Sequence, residues 1–310
     1  MNLNRKLKNI LTTVTLTMGI ALSAPALADY PEKPITLICW SSAGSGHDLM
    51  ARYIAKLGEK HIGQPIVVVN KKGGKGKVAM SYALNSDPEG YVIMTNTRSM
   101  TKRLKKTGSS IAIDSFKYVS RVVKDPFVIA VNKDSQFNNI ADLVAFAKKN
   151  PNKVKIGGYS TKSVDQDLVK ELESKADVNL NYIPYKGGKE PIVAVLGGHI
   201  DVAIANPSEM LTNFKAGKLK VLAVASSERF EPFEEASTLT EQGYPIVIEH
   251  WRGVMASKKV PDEVIEKLNN MISKVMDEPE FKKFLAGANM YNGYLPSDEF
   301  TDLVNIQTLN

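Results

Sequence analysis

Cysteine is nearly absent: the 310 residues contain one, Cys39. No disulfide can close within the chain, and no thiolate-based zinc site can be assembled. The four histidines, His47, His61, His199 and His250, are scattered without ligand-like spacing. No metal and no cofactor is expected. Internal repeats and low-complexity stretches are also missing. Hydrophobic residues at 43% and charged residues at 24% exclude collagen, a long coiled coil, extended disorder and a polytopic membrane protein. What remains is an ordinary globular chain long enough to bury a core in one or two domains.

The start of the chain has its own composition. Arg5, Lys6 and Lys8 precede an apolar stretch, Ile10 to Ser23, and then Ala26-Leu27-Ala28. Basic start, short apolar run and small-x-small site are the order of a secretory signal peptide, here residues 1–28. The apolar run is short for a spanning helix, which needs about 20 apolar residues. The expected location is the bacterial periplasm. Removal of Arg5, Lys6 and Lys8 with the leader lowers the formal charge from +7 to +4. The excess concentrates in Lys71, Lys72, Lys75, Lys77 and the run from Lys102 to Lys106. Export excludes nucleic acid as the partner. The basic runs read as a solvated face that gives a weak field for anionic solutes.

Apolar runs alternate with amphipathic ones. Ile35 to Trp40, Ile66 to Val69, Tyr91 to Met94, Phe127 to Val131, Val154 to Ile156, Val202 to Ala205 and Val221 to Ala225 read as strands. Leu49, Tyr53, Ile54 and Leu57 recur at helical spacing, as do Ile265, Leu268, Ile272 and Val275 behind Pro261. The alternation predicts an α/β architecture with mostly parallel sheets. Breaks at Lys124-Asp125-Pro126 and at Ser226-Ser227 enclose about 100 residues, one small α/β unit. The tail beyond is too thin in strands for a sheet of its own. The expected organisation is therefore lobe 1 from 29–126 and 227–310, and lobe 2 from 127–226. Two chain crossings would form the hinge, with a ligand cleft between the lobes.

In open α/β sheets ligands bind beyond the carboxyl ends of the strands. The first such junction is Trp40-Ser41-Ser42-Ala43-Gly44-Ser45-Gly46-His47-Asp48. Small residues admit close backbone approach, and a helix start favours an anion. Leu49 stands where a dinucleotide fingerprint needs its third glycine, and the Gly-Lys-Ser/Thr of a P-loop is missing. A second junction carries Ser160-Thr161-Lys162 after Gly157-Gly158. Thr95-Asn96-Thr97, Tyr185 and Asn206 complete the candidate set. Each alone is an ordinary turn or capping residue; together they suggest a binding cleft. Ser45 near His47 offers a nucleophile and base, but the loop is not Gly-x-Ser-x-Gly.

Ordered motifs carry a resemblance. They run from Tyr30-Pro31-Glu32-Lys33-Pro34-Ile35-Thr36-Leu37 through the loop ending in Asp48, with Arg52 one turn on. Gly63-Gln64-Pro65 before Ile66 to Asn70, Asp87-Pro88-Glu89-Gly90-Tyr91 and Ile183-Pro184-Tyr185-Lys186-Gly187-Gly188 follow. Then come Leu196-Gly197-Gly198-His199-Ile200-Asp201, Ala216 to Val224, and Glu241-Gln242-Gly243-Tyr244-Pro245 before Trp251. Residues 30 to 305 resemble the periplasmic receptors of tripartite tricarboxylate transporters, the Bug receptor family. The resemblance implies a type II-like, two-lobed periplasmic binding protein that closes on a small mono-, di- or tricarboxylate. It implies a monomer, not an enzyme, that delivers its ligand to a two-component membrane permease. In that family the carboxylate is held largely by backbone groups and waters of two facing loops. By carry-over these are Ser41, Ser42, Ala43, Gly44, Ser45 and Asp48, and Ser160, Thr161 and Lys162. Trp40 and Lys162 depart from the family pattern and bear on ligand choice; Lys162 offers a cation to a second carboxylate. The alternatives are a sensor for a membrane signalling protein and an exported serine hydrolase using Ser45 and His47.

Overall fold

The computed structural model describes residues 30–86, 88–104 and 110–309. The leader at 1–28, Asp87, Lys105 and Lys106 lie outside the described residues. Among those described, no helix is long and apolar enough to cross a membrane.

The chain opens with β1 (Ile35–Cys39), α1 (Gly46–Ile62), β2 (Ile66–Asn70), α2 (Lys77–Leu84), β3 (Val92–Thr97), the one-turn α3 (Arg98–Thr101) and β4 (Phe116–Lys124). There it crosses over. The second lobe comprises β5 (Val128–Asn132), α4 (Ile140–Lys149), β6 (Lys155–Tyr159), α5 (Val164–Ala176), β7 (Asn181–Tyr185), α6 (Lys189–Leu196), β8 (Val202–Ala205), α7 (Pro207–Lys215) and β9 (Leu219–Val224). The return brings β10 (Trp251–Ser257), α8 (Asp262–Asp277), α9 (Pro279–Ala288), β11 (Tyr291–Leu295) and α10 (Ser297–Leu309).

Two sheets result, ordered β11-β4-β10-β3-β1-β2 and β7-β6-β8-β5-β9. β1 pairs in parallel with β2 and β3, and β6 with β7 and β8. The remaining pairings are antiparallel: β10 with β3 and β4, β11 with β4, and β5 with β8 and β9. The sheets are therefore mixed, and not mostly parallel as the alternation predicts. β10 and β5 are the strands that have just crossed between lobes. An antiparallel strand begins where its parallel neighbours end, so both crossings deliver their first residues to the crevice at the carboxyl ends of the strands.

Local chemistry fixes the helix starts. Ser45, Thr97, Asn139 and Ser163 each accept a backbone N–H inside the following helix. Pro207 occupies the first turn of α7, where its missing N–H costs nothing. α8 shows its apolar spacing plainly: Val264, Ile265, Leu268, Met271, Ile272 and Val275 are buried. The first lobe's core gathers Ile38, Met94, Trp251, Met255 and Phe300. The second lobe has one cluster on each sheet face, one built on Ile129, Leu168 and Ile204, the other on Val128, Ile192 and Met210. Cys39 is fully buried, and burial pushes its thiol up.

The second crossing differs from the expected one at Ser226-Ser227. Leu239, Ile246 and Ile248 belong to one core cluster of the second lobe, and Phe233 and Ala236 to the other. Thr238 forms a parallel bridge to Val224, and the Ile248 amide donates to the Ala225 carbonyl at 2.8 Å. The chain leaves the second lobe only at Glu249-His250-Trp251. Residues 226–248 hold too few regular elements for spacing to reveal where their scattered apolar side chains dock.

The two crossings lie side by side. The Asp125 amide donates to the His250 carbonyl at 2.9 Å. Arg252 donates through Nε (2.8 Å) and Nη2 to Asp125 Oδ2, a pair that is almost wholly buried.

Candidate functional site

The first junction is held by its acid. Asp48 is buried at the start of α1, and its Oδ2 accepts from the Gly44 amide (2.8 Å) and Arg52 Nε (2.9 Å). Its Oδ1 accepts from Asn70 Nδ2 at 2.8 Å, and the same amide group donates to the Ser41 carbonyl. Burial raises a carboxyl, but these bonds outweigh it and hold Asp48 below the usual carboxylate range. Ser45 donates to Ser41 Oγ and accepts from the Asp48 amide. The Ser45 amide donates to the Ser42 carbonyl at 3.2 Å, and Ala43 is exposed at the turn. Gly44 has φ +72 and open space where a side chain would stand. The crowded glycine is Gly46: a Cβ there would lie 2.9 Å from Met290 Cε, 3.1 Å from Arg252 Nη1 and 3.3 Å from Ser208 Oγ.

His47 is buried, and its Nε2 accepts from Trp40 Nε1 at 3.1 Å, the two rings meeting edge to face. Burial, reinforced by Arg252, lowers His47 well below the ordinary histidine value. Ser45 and His47 make no hydrogen bond to each other, so these two do not form a nucleophile–base pair.

The second junction repeats the scheme, but no described cation bonds to its acid. Ser163 caps α5, and Asp165 Oδ1 accepts from the Tyr159 amide at 2.9 Å. Burial pushes the Asp165 carboxyl up to about 7. Ser160 (φ 53) and Lys162 (φ 53) take left-handed backbone, Thr161 and Lys162 being exposed. The Ser160 amide donates to the Tyr185 carbonyl, and the Lys162 amide to Gln166 Oε1, both at 2.8 Å.

The second junction meets the first lobe at α3 and at the loops beside it, not at the first junction. The Val164 amide donates to Ser99 Oγ at 3.3 Å, and Lys75 Nζ reaches Thr161 Oγ1 at 3.4 Å. Lys102 pairs with Asp167. The Arg103 guanidinium lies 5.8 Å from the Tyr159 ring centre. Of the other expected residues, Thr95 bonds back to the Ile38 carbonyl and Thr97 caps α3. Asn206 braces the hinge, donating to the carbonyls of Asp125 (2.8 Å) and Pro126 (3.3 Å). The Tyr185 ring packs over Gly157 and lines a recess of about 470 Å³ with Lys189, Glu190, Val193, Ala194 and His199.

Six buried side-chain atoms among the described residues lack a protein partner: both amide atoms of Asn96, Arg103 Nη1, Asp125 Oδ1, Ser208 Oγ and His250 Nδ1. Native interiors tolerate few such groups, and each calls for a reason. These come from the carboxyl end of β3, the segment after α3, the two crossings and the start of α7. His250 is held neutral by burial and by the nearby Arg252, Arg98 and Arg103.

The fold and this polar seam define a two-lobed solute-binding protein. A family profile described as "Tripartite tricarboxylate transporter family receptor" matches residues 50–308. This chain belongs to that receptor family. It is 30% identical over 285 residues to Protein BugT of Bordetella pertussis, covering 89% of this chain and 86% of that protein. It is similar to the ligand-free crystal structure of a TctC solute-binding protein from Polaromonas, with 29% identity, TM-score 0.73, and coverage of 90% and 96%. An R. palustris protein solved with adipate shares the fold at TM-score 0.81 and 24% identity, with coverage of 91% and 95%.

Proposed function

We propose that this protein closes its two lobes on a small carboxylate and hands it to a two-component membrane permease, after export through its 1–28 leader. The observation that carries the reading is the set of six buried, unpartnered polar atoms contributed by both lobes and the hinge. Donors predominate in the seam. Arg103, Ser208, the Asn96 amide and His250 can each offer an N–H or O–H to an acceptor-rich ligand. The adipate-bound relative supports a carboxylate. Trp40, Ser41, Ser42, Ala43, Gly44, Ser45, Gly46, His47 and Asp48 form the first wall; Thr95, Asn96 and Thr97 stand at the floor; Ser160, Thr161 and Lys162 form the opposing wall. Thermal denaturation against a carboxylate library tests this. A true ligand at 100 times its Kd stabilises by about 2.7 kcal/mol. A library in which no mono-, di- or tricarboxylate raises the midpoint contradicts it.

A further inference from the structure

Arg103 follows α3 in the first lobe and lies against Tyr159 of the second, its guanidinium 5.8 Å from the ring centre. Its Nη1 is sealed from water and has no hydrogen-bond partner among the described residues. Nη2 makes one long bond, 3.4 Å, to the Lys75 carbonyl. The other described guanidiniums are better supplied. Arg52, Arg121, Arg229 and Arg252 each face a carboxylate, and Arg98 donates to the Glu249 carbonyl at 2.7 Å. No described carboxylate forms an ion pair with Arg103. The Tyr159 phenol interacts with the guanidinium, but burial keeps it neutral. Asp165 is felt by Arg103, yet burial pushes its own carboxyl up to about 7. A desolvated charge without a counter-ion is unfavourable, and arginine cannot shed its proton to escape. The seam beside it adds more cations than anions. Burial holds His250 neutral, helped by Arg252, Arg98 and Arg103, and His250 Nδ1 is another sealed, unpartnered atom. What this part of the seam lacks is negative charge.

We infer that Arg103 is the specificity-determining residue for ligand charge, donating Nη1 to one carboxylate of a dicarboxylate held between the lobes. The inference rests on the carboxylate-receptor reading and adds to it the group that tells an acid from its neutral analogues. The ligand supplies the counter-ion that the chain does not. The seam is closed over Nη1 in this structure, so a ligand reaches it while the lobes are apart and is enclosed as they meet. Tyr159 then backs the guanidinium from the opposite lobe, which ties charge recognition to closure. An amide or methyl ester in place of that carboxylate is rejected, because it leaves the buried cation uncompensated.

Calorimetry with succinate, malate and adipate, and with their monoamides, tests the assignment. Wild-type protein should bind at least one diacid, and bind it more tightly than its monoamide. Arg103→Gln, with its melting transition still cooperative, should weaken the diacid by about 10- to 100-fold, the span of one charged hydrogen bond. It should also bring diacid and monoamide to near-equal affinity. Lys102→Ala removes another contact across the seam, the pair with Asp167, and should weaken both ligands alike while keeping the preference. A crystal of the wild-type complex needs no variant: a carboxylate oxygen should lie within hydrogen-bond reach of Arg103 Nη1. If no diacid binds wild-type protein, this assignment falls, and the thermal screen of the wider carboxylate library decides whether the receptor reading falls with it. If a diacid binds but Arg103→Gln keeps the preference, or the crystal leaves Nη1 without a ligand oxygen, the receptor reading stands and the role of Arg103 is refuted.

Discussion

The β1–α1 and β6–α5 junctions are built alike and charged differently. In each, a strand runs into a loop with small hydroxyl residues, a serine caps the next helix, and an acid near the helix start bonds back to the backbone before it. Asp48 reaches the Gly44 amide, and Asp165 the Tyr159 amide. Asp48 also has Arg52 and Asn70; among the described residues no cation bonds to Asp165. The same backbone design therefore holds one carboxyl below its usual range and drives the other up to about 7. Partners, more than position at a helix start, decide the charge state of a buried acid.

The largest expected effect follows from Asp165. Its folded value, about 7, lies above the unsupported 3.8, so its contribution is fully present below pH 3.8 and is lost as pH rises through 7. Stability should fall across that window by up to about 4 kcal/mol at 1.36 kcal/mol per unit. Asp165→Asn, which keeps the acceptor for the Tyr159 amide, should flatten the profile and be the more stable protein at pH 8. Urea titrations from pH 4 to 8 on both proteins decide it; parallel profiles would end the contrast.

Asp48 has the opposite sign. A lowered carboxyl stabilises above the unfolded value, and that support disappears only as pH drops below 3.8. Asp48→Ala should cost about 3 kcal/mol at pH 7, because the Gly44 amide and Asn70 lose their acceptor. Equal losses at pH 3 and pH 7 would show that the charge is irrelevant.

Smaller effects test the shared part of the design. Ser45→Ala should cost about 1 kcal/mol as an N-cap. Ser163→Ala should cost about as much, since each hydroxyl both caps its helix and donates within its loop, Ser45 to Ser41 Oγ and Ser163 to the Ser160 carbonyl. A Ser45→Ala protein as stable as wild type in urea would mean that the cap is idle. Smallest is Lys102→Ala, at under about 1 kcal/mol for a part-exposed pair with Asp167. Its signature is salt: raising ionic strength should narrow the gap to wild type.

Much of this was legible in the sequence. The apolar runs at Ile35, Ile66, Tyr91, Phe127 and Val202 became strands because each is short and continuous, and all but the edge strand at Ile66 are largely buried. β4, β7, β10 and β11 carry no such mark. β10 is buried along its whole length yet mixes Trp251, Arg252 and Gly253, so neither alternation nor an unbroken apolar run marks it. Arg252 was missed for a related reason. Reading only the residues that follow parallel strands overlooks a strand that enters the crevice with its first residues. The crowding in the first loop is at Gly46, set by Met290, Arg252 and Ser208, all distant in sequence, so spacing alone does not mark it.

The account depends most on where a ligand sits. A crystal structure with any diacid that raises the melting temperature should place one carboxylate in the seam between the lobes, within hydrogen-bond reach of at least one of Asn96, Arg103, Ser208 and His250. A diacid found in the recess beside Tyr185, with the interlobe seam unchanged, would contradict it.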